Sequence, residues 1–185
     1  MTTTTALSEL TGTYTLDVAH TRIGFSARHA MVTKVRGAFN DFEGQIVVDG
    51  DNPSASSAQI TIKTESIDTR NEQRNGHIRN GDFLEVDKYP EIRFVSTAVE
   101  QLNDERFRLT GDLTIKETTK PISIDFTFEG AVVDPFGASR VGFEGSVTIN
   151  RKDWGVNWNV ALEAGGVLVS EKVNLEFEVS AIKNA

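Results

Sequence analysis

The sequence predicts an all-β protein whose antiparallel sheet has one apolar and one polar side. Short segments of alternating apolar and polar residues recur along most of the 185 residues, which is typical of strands that bury one face. The chain shows no series of strongly periodic helices that could cover this face. The sheet must therefore close as a barrel of about eight strands or pack as a sandwich, and the alternation leaves both architectures open.

The first ten residues are polar and rich in threonine, so we predict a flexible tail over residues 1–10 and a single domain over residues 11–185. The first strand is predicted at residues 12–18, where every second residue is apolar. The second follows at residues 23–29. Because His29 continues the alternation of that strand, we predict that its side chain points inward as a polar anchor in an apolar interior.

The pattern is less regular between the second strand and the middle of the chain. Residues 29–34 are predicted to form one helical turn, and a strand follows over residues 36–48. The alternation breaks once within that strand, near residues 41–44, as it does at a bulge or a bend. Residues 49–57 have the composition of a turn, and the next strand is predicted at residues 58–67.

A polar insertion at residues 66–94 interrupts the strands. We predict a helix there, because Arg70, Arg74 and His77 stand at i, i+4 and i+7 and would share one helical face. Two interpretations stay open. The helix is either a solvated element packed across the barrel or a lid whose arginines meet an anionic head group at a barrel opening.

The second half of the chain alternates more regularly. Strands are predicted wherever apolar residues recur at every second position, which is at residues 92–94, 107–115, 122–128, 141–149, 154–158 and 173–179. In the fifth of these, Trp154 and Trp158 would share one strand face. We interpret Trp158 as a packing residue and leave a cavity-lining role open for Trp154.

The composition argues against several classes of main partner and of site. A net charge of −8 and a pI near 4.9 argue against nucleic acid or an anionic membrane surface as the main partner, because both require concentrated lysine and arginine. No apolar segment is long enough for an integral membrane span, and the lack of cysteine excludes disulfides and thiolate sites. The start MTTTTALSEL lacks the features of a secretory signal, so we expect a cytoplasmic protein.

Several spaced motifs resemble the YceI-like family over about residues 12–182. They are the insertion described above together with LDVAHTRIGFSARH, VRGAFNDFEGQI, LTGDLTIKETTKPISIDFTFEG and VGFEGSVTINRKDWGV. The resemblance implies a lipocalin-like antiparallel β-barrel that binds polyisoprenoids or related long-chain lipids. The chain departs from the family pattern at Asn75, Ile78 and Leu84, where Asp, Leu and Phe are usual. Because Asn75 removes a local Arg–Asp pair, we expect Arg74 to be freer for an external anion.

The resemblance and the residues together predict a binding site. The chain has eleven phenylalanines beside two tryptophans and two tyrosines, and phenylalanine suits a solid core or a dry apolar cavity. We predict that an isoprenoid tail lies among Phe25, Phe39, Phe42, Phe94, Phe126, Phe128, Phe143 and Trp154. At the barrel opening, the head group is predicted to contact His29, Arg70, Arg74 and His77.

We therefore predict a protein that binds, carries or sequesters a polyisoprenoid or quinone-like lipid, with no metal or cofactor. The sequence leaves the oligomeric state open, and a homodimer is one alternative. A second hypothesis is an enzyme that acts on a small hydrophobic or quinone-like substrate through His29 or a histidine-bound metal. Its support is slight, since His20, His29 and His77 lack the spacing of metal ligands and the sequence has no nucleophile elbow. A third hypothesis is a stress-linked binding module without a dedicated ligand.

Overall fold

A computed structural model describes residues 6–163 and 165–185 of the chain. These residues form one α-helix, α1 at Glu72–Arg79, and eleven strands. The strands are β1 (Gly12–Leu16), β2 (Arg22–His29), β3 (Thr33–Phe39), β4 (Phe42–Val48), β5 (Ser57–Lys63), β6 (Ile67–Asp68), β7 (Glu91–Gln101), β8 (Arg106–Ile115), β9 (Thr118–Val133), β10 (Ser139–Asn150) and β11 (Val169–Lys183).

The strands form one antiparallel sheet that closes into a barrel. Eight of them make a ring in the order β1, β4, β5, β7, β8, β9, β10 and β11, and the ring closes because β11 also pairs with β1. The remaining strands extend from β11 in the order β2, β3 and β6. This arrangement confirms the predicted lipocalin-like antiparallel barrel of about eight strands with a helical insertion, and it excludes the sandwich.

One long strand organises the start of the barrel. β11 has 15 residues, and its first part pairs with β2 while its last part pairs with β1. β1 and β2 therefore run end to end, separated by a 3₁₀ turn at Val18–His20. β3 and β4 follow each other in the same way across Asn40 and Asp41, close to the break in alternation predicted near residues 41–44.

The strand directions define two ends of the barrel. At the lid end lie the β2–β3 and β8–β9 turns, α1 and the loop residues 155–163 and 165–168. At the other end, the base, lie the β7–β8 and β9–β10 turns and a 3₁₀ turn at Leu7–Leu10. The apolar inner faces of the strands meet between these ends. A molecule inside the barrel is therefore enclosed by different elements at its two ends.

The start of the described chain is folded against the barrel. The sequence predicts a flexible tail over residues 1–10, but Leu7–Leu10 forms a 3₁₀ turn in which Leu10 is buried. The Tyr14 hydroxyl donates a hydrogen bond of 2.8 Å to the Leu10 carbonyl oxygen and so fixes this turn to β1. Residues 1–5 of the predicted tail lie outside the described residues.

Two segments at the lid end differ from their predictions. Instead of a helical turn at residues 29–34, the chain makes a tight turn between β2 and β3, in which Ala30 and Met31 have φ angles of 50° and 64°. Instead of a strand through residues 154–158, Arg151–Trp154 is a 3₁₀ turn. Gly155 ends that turn with a φ of 78°, which glycine adopts readily. The residues with positive φ turn the chain at both places. The sequence pattern therefore does not lead to the predicted helical turn or to the predicted strand.

Candidate functional site

The barrel encloses a cavity of about 810 Å³. All eight ring strands contribute apolar side chains to its wall, because alternate residues of each strand face inward. The cavity extends from Ile78 and Phe83 at the lid end to Leu7 and Leu10 at the base. An interior of this shape suits a long apolar molecule better than a compact polar one.

Most of the predicted aromatic residues lie on the cavity wall, namely Phe25, Phe39, Phe94, Phe126, Phe128 and Phe143. The structure corrects the prediction for the other two. Phe42 is only 4% exposed and packs in the core beside the bend between β3 and β4. Trp154 is 3% exposed, because the 3₁₀ turn directs its ring into the wall, where Nε1 donates to the Leu113 carbonyl oxygen at 2.9 Å. Contact of the wall residues with a lipid stays a prediction.

Glycines on neighbouring strands make room for some of these rings. Phe25 stands opposite Gly37 across β2 and β3, and Phe126 stands opposite Gly145 across β9 and β10. A side chain at Gly37 would collide with the Phe25 ring, and a Cβ at Gly145 would lie 2.7 Å from Phe126 Cδ1. Each ring therefore covers the glycine on the next strand. This arrangement lets a phenylalanine-rich barrel keep an open interior.

An aromatic cluster closes the lid end. The His77 ring on α1 lies edge-on to the Trp158 ring at 4.6 Å and to the Phe83 ring at 5.1 Å between centroids. The Phe83 and Trp158 rings are 5.3 Å apart. All three side chains line the cavity, so Trp158, which we interpreted as a packing residue, also forms part of the cavity wall. The lid therefore presents an apolar aromatic underside to the interior.

The predicted cationic face of the helix does not form. α1 begins only at Glu72, and the Asn71 side chain caps it by accepting a hydrogen bond of 2.9 Å from the Arg74 backbone N–H. Arg70 precedes the helix with a φ of 66°, is exposed and does not line the cavity. Its predicted place on one face with Arg74 and His77 is therefore wrong, because the helix starts after it.

Arg74 is held by its neighbours instead of being freed by Asn75. Its Nε donates to Thr69 Oγ1 at 2.9 Å, and its Nη2 donates to the Thr69 carbonyl oxygen at 2.6 Å. Asn75 is 3% exposed, and its Oδ1 accepts from the Thr69 backbone N–H and hydroxyl. Asn75 thus joins α1 to the segment before it. Arg74 still lines the cavity near its opening, so its role toward a head group stays a prediction.

The two histidines predicted at the head group have different surroundings. His29 is the last residue of β2, is exposed and lines the cavity at its lid end. His77 also lines the cavity, but its Nε2 is 2.8 Å from Asp82 Oδ2. The Nε2 atom of His77 is therefore already engaged by a carboxylate five residues further along the chain. His29 is therefore the better placed of the two to meet a polar group at the opening.

A buried arginine that the sequence analysis did not select supports the lid end. Arg151 is 5% exposed, and its guanidinium donates to the backbone carbonyl oxygens of Val156, Val169 and Ser170 at 2.8 to 3.2 Å. Burial lowers the pKa of this guanidinium below its ordinary value. The side chain fastens the loop after β10 to the start of β11, and the motif INRKDW gave no signal for this role beyond its charge.

Among residues 6–163 and 165–185, no group of three or more His, Asp or Glu side chains is arranged to hold a metal ion. His20 lies in the 3₁₀ turn between β1 and β2, 2.7 Å from the Asp17 carboxylate, whereas His77 lies on α1. No helix in the same residues is long and apolar enough to cross a bilayer.

Known proteins with similar sequences assign the chain to a family. The sequence profile of the YceI-like domain matches residues 14–181. The chain is 38% identical over 164 residues to a UPF0312 protein of Pseudomonas aeruginosa, covering 89% of this chain and 82% of that one. It is also 38% identical over 169 residues to a UPF0312 protein of Staphylococcus aureus, covering 91% of this chain and 95% of the relative.

Solved structures show the same fold. The YCEI protein of Campylobacter jejuni superposes with a TM-score of 0.72 and 31% identity, over 92% of this chain and 97% of that one. BcnA of Burkholderia cenocepacia gives a TM-score of 0.79 with 24% identity, over 89% and 98%. A polyisoprenoid binding domain from Saccharophagus degradans gives 0.71 with 15% identity, over 92% and 98%. Since the profile covers nearly the whole barrel, the chain belongs to the YceI-like family.

Proposed function

We propose that the protein binds a long-chain amphiphilic lipid of the isoprenoid class, with the apolar chain inside the barrel and the head group at the lid end. The observation that carries this proposal is the apolar cavity of about 810 Å³ that runs from the lid to the base. The similar fold of the polyisoprenoid binding domain from Saccharophagus degradans supports the same ligand class.

The energetics favour a ligand with a long tail. Apolar surface removed from water contributes about 25 cal/mol per Å², so about 400 Å² of buried chain would contribute roughly 10 kcal/mol before the entropic cost of binding. A free prenyl chain in water has no comparable apolar surroundings. We infer that carriage or sequestration of such a lipid, including a quinone-like one, is the role of the barrel.

The head group is proposed to lie between the end of β2 and the start of α1. His29 and Arg74 line the cavity opening there, together with the exposed side chain of Gln73. These side chains offer hydrogen bonds to a hydroxyl, a carbonyl or a phosphate. The tail and the head group therefore make separable contributions, which matched ligands with different head groups can distinguish.

The proposal is tested first by extracting natively purified protein with organic solvent and analysing the extract by mass spectrometry. We expect a molecule with a long apolar tail at near-stoichiometric amount. Delipidated protein should then bind an added prenyl alcohol in a fluorescence titration. Protein that releases no lipid and does not bind prenyl alcohols of any length would contradict the proposal.

A matched pair of glycine variants tests whether the ligand lies inside the barrel. In Gly145→Ala the new methyl group would lie 2.7 Å from Phe126 Cδ1 and push that ring toward the cavity. Because the displaced ring takes space from the bound chain, we expect the affinity for a prenyl alcohol to fall about tenfold. The overpacking itself lowers the stability of the fold by about 1–3 kcal/mol, so thermal denaturation must first show that the variant is folded. Gly142→Ala is the control, since its Cβ would be 3.8 Å from the nearest atoms. Equal affinities for both variants would place the ligand elsewhere.

A further inference from the structure

The turn between β2 and β3 carries exposed apolar side chains at the lid end. We refer to residues 28–36 as the basic hairpin. At its tip, Met31 is 60% exposed and Val32 is 74% exposed. Val32 is largely uncovered, whereas Met31 is covered in part by the loop before β11. This adjacent pair leaves apolar surface at the tip that is available for contact with another surface.

The flanks of this tip are cationic on a strongly acidic protein. Arg28, Lys34 and Arg36 are exposed, and Arg28 stands directly opposite Lys34 across β2 and β3. Like charges that face each other across a strand pair are destabilising. In the described part of the chain, no carboxylate lies within ion-pair distance of these three side chains. The sequence also has no Asp or Glu from residue 18 to residue 40, although the net charge is −8.

The backbone of the tip is held in an unfavourable conformation. Ala30 and Met31 both have positive φ, a region that non-glycine residues rarely occupy and that is often retained at functional positions. The Ala30 backbone N–H donates to the Leu168 carbonyl oxygen at 2.7 Å. The Met31 side chain lies directly against Gly166. A side chain at position 166 would collide with the Met31 sulfur. The tip is therefore positioned by the adjacent loop.

The basic hairpin adjoins the cavity opening. His29, at the base of its turn, lines the cavity, and so do Leu168 and Trp158 of the adjacent loop. The exposed acidic residue of that loop is Glu163, against three exposed cations on the basic hairpin. A surface that contacts the tip would face the lid end of the cavity.

We propose that the basic hairpin docks the protein on an anionic phospholipid membrane. Met31 and Val32 enter the interface between head groups and acyl chains, while Arg28, Lys34 and Arg36 face the lipid phosphates. Charge complementarity favours this partner, because three cations around an apolar tip match an anionic interface. The net charge of −8 repels the rest of the protein from the same surface. Docking is therefore oriented, with the lid end of the barrel toward the membrane.

The test is flotation of the full chain with vesicles of phosphatidylcholine, with and without phosphatidylglycerol, at low and high salt. Each basic side chain near an anionic surface contributes about fivefold to partitioning. We therefore expect Lys34→Glu/Arg36→Glu to reduce binding to the anionic vesicles by at least about 25-fold. Met31→Ser/Val32→Ser should abolish the part of the binding that remains at high salt.

The matched control is Arg106→Glu/Lys183→Glu, which makes the same change in net charge with two exposed cations on β8 and β11 at the base. It should retain most of the wild-type binding, and circular dichroism confirms that each variant is folded. Equal losses in both double variants would overturn the proposal, since net charge alone would then explain them. A wild-type protein that does not bind anionic vesicles would also overturn the proposal. An acidic protein would then be the partner that the basic hairpin fits. The assay uses no cavity ligand, so its outcome is independent of the proposed function.

Discussion

The two ends of the barrel are closed in different ways. At the base, Leu10, Tyr14, Val141 and Ala181 form a cluster in which every member is less than 9% exposed. Arg140 additionally joins the carboxylates of Asp17 and Asp134. At the lid end, a single short helix, one aromatic cluster and an exposed basic hairpin surround the cavity opening.

This difference indicates a division of roles. A closely packed apolar end contributes mainly to the free energy of unfolding. An end built from a short helix and loops, with exposed cations and positive φ angles, opens locally at lower free energy. We therefore expect variants at the base to change stability, and variants at the lid end to change binding with little effect on stability.

The largest effect is expected at the base. Tyr14 is 1% exposed, and its hydroxyl holds the Leu10 carbonyl oxygen. Tyr14→Ala should lower the free energy of unfolding by about 3–5 kcal/mol, because it leaves a large cavity. Tyr14→Phe keeps the ring and should lower it by only about 1 kcal/mol. Urea denaturation measures both, and similar small losses for the two variants would show that the base does not stabilise the barrel.

A smaller effect is expected at the cavity opening. Arg74 lines the cavity, whereas Arg70 does not. If the head group is anionic, Arg74→Ala should weaken binding of a prenyl pyrophosphate by about 1 kcal/mol, or about fivefold, because solvent screens a charge-assisted hydrogen bond at an open site. Binding of the matched prenyl alcohol should hardly change. Arg70→Ala is the control, and a loss as large as that of Arg74→Ala would contradict this placement.

A slight gain in stability is expected at the basic hairpin. Lys34→Glu replaces the like charge opposite Arg28 with an attractive cross-strand pair. The free energy of unfolding should therefore rise by about 0.5 kcal/mol, which raises the melting temperature by about 1–2 °C. Lys34→Gln should give a part of this gain. A lower melting temperature in both variants would show that the lysine is itself a stabilising residue of the hairpin.

The smallest effect is expected from acid acting on the base. The Arg140 guanidinium holds the pKa of the Asp17 and Asp134 carboxyls below their ordinary values, with His20 as a further cause for Asp17. The pKa of each carboxyl is lower in the folded state than in the unfolded state, where it is near 4. The ion pairs therefore stabilise the fold fully above about pH 4, and this stabilisation is lost as the pH falls through the pKa of the folded state. The melting temperature should therefore fall below about pH 4. Arg140→Met should have a weaker pH dependence in the same range, and an unchanged profile would contradict the ion pairs.

The inner faces of the barrel could be predicted because each strand has a simple repeat. The alternation of Ile122, Ile124, Phe126 and Phe128 predicts one shared side, and all four line the cavity. The pattern does not show whether such residues fill the interior or surround a space. The sequence nevertheless contains a sign of an open interior. The glycines in VRGAF and FEGSV stand opposite Phe25 and Phe126 and accommodate their rings.

The lid end could not be predicted to the same extent. The face shared by Arg70, Arg74 and His77 depends on where the helix begins, and several residues near position 70 are good helix caps. The structure selects Asn71, which leaves Arg70 outside. The β2–β3 turn has no glycine at Ala30 or Met31, so nothing in the composition predicts a turn with positive φ there. Both outcomes depend on contacts with distant parts of the chain.

The pairing of β11 with both β1 and β2 also affects how the protein folds during synthesis. Thr15 at the start of the barrel is hydrogen-bonded to Asn184, 169 residues later in the chain, and contacts of such long range slow folding. β1 and β2 are translated early, but the strand that closes the ring over them is translated late. Until then the phenylalanine-rich inner faces are exposed to solvent and prone to aggregation. A chaperone or an early-bound lipid that covers these faces would therefore increase the yield of folded protein.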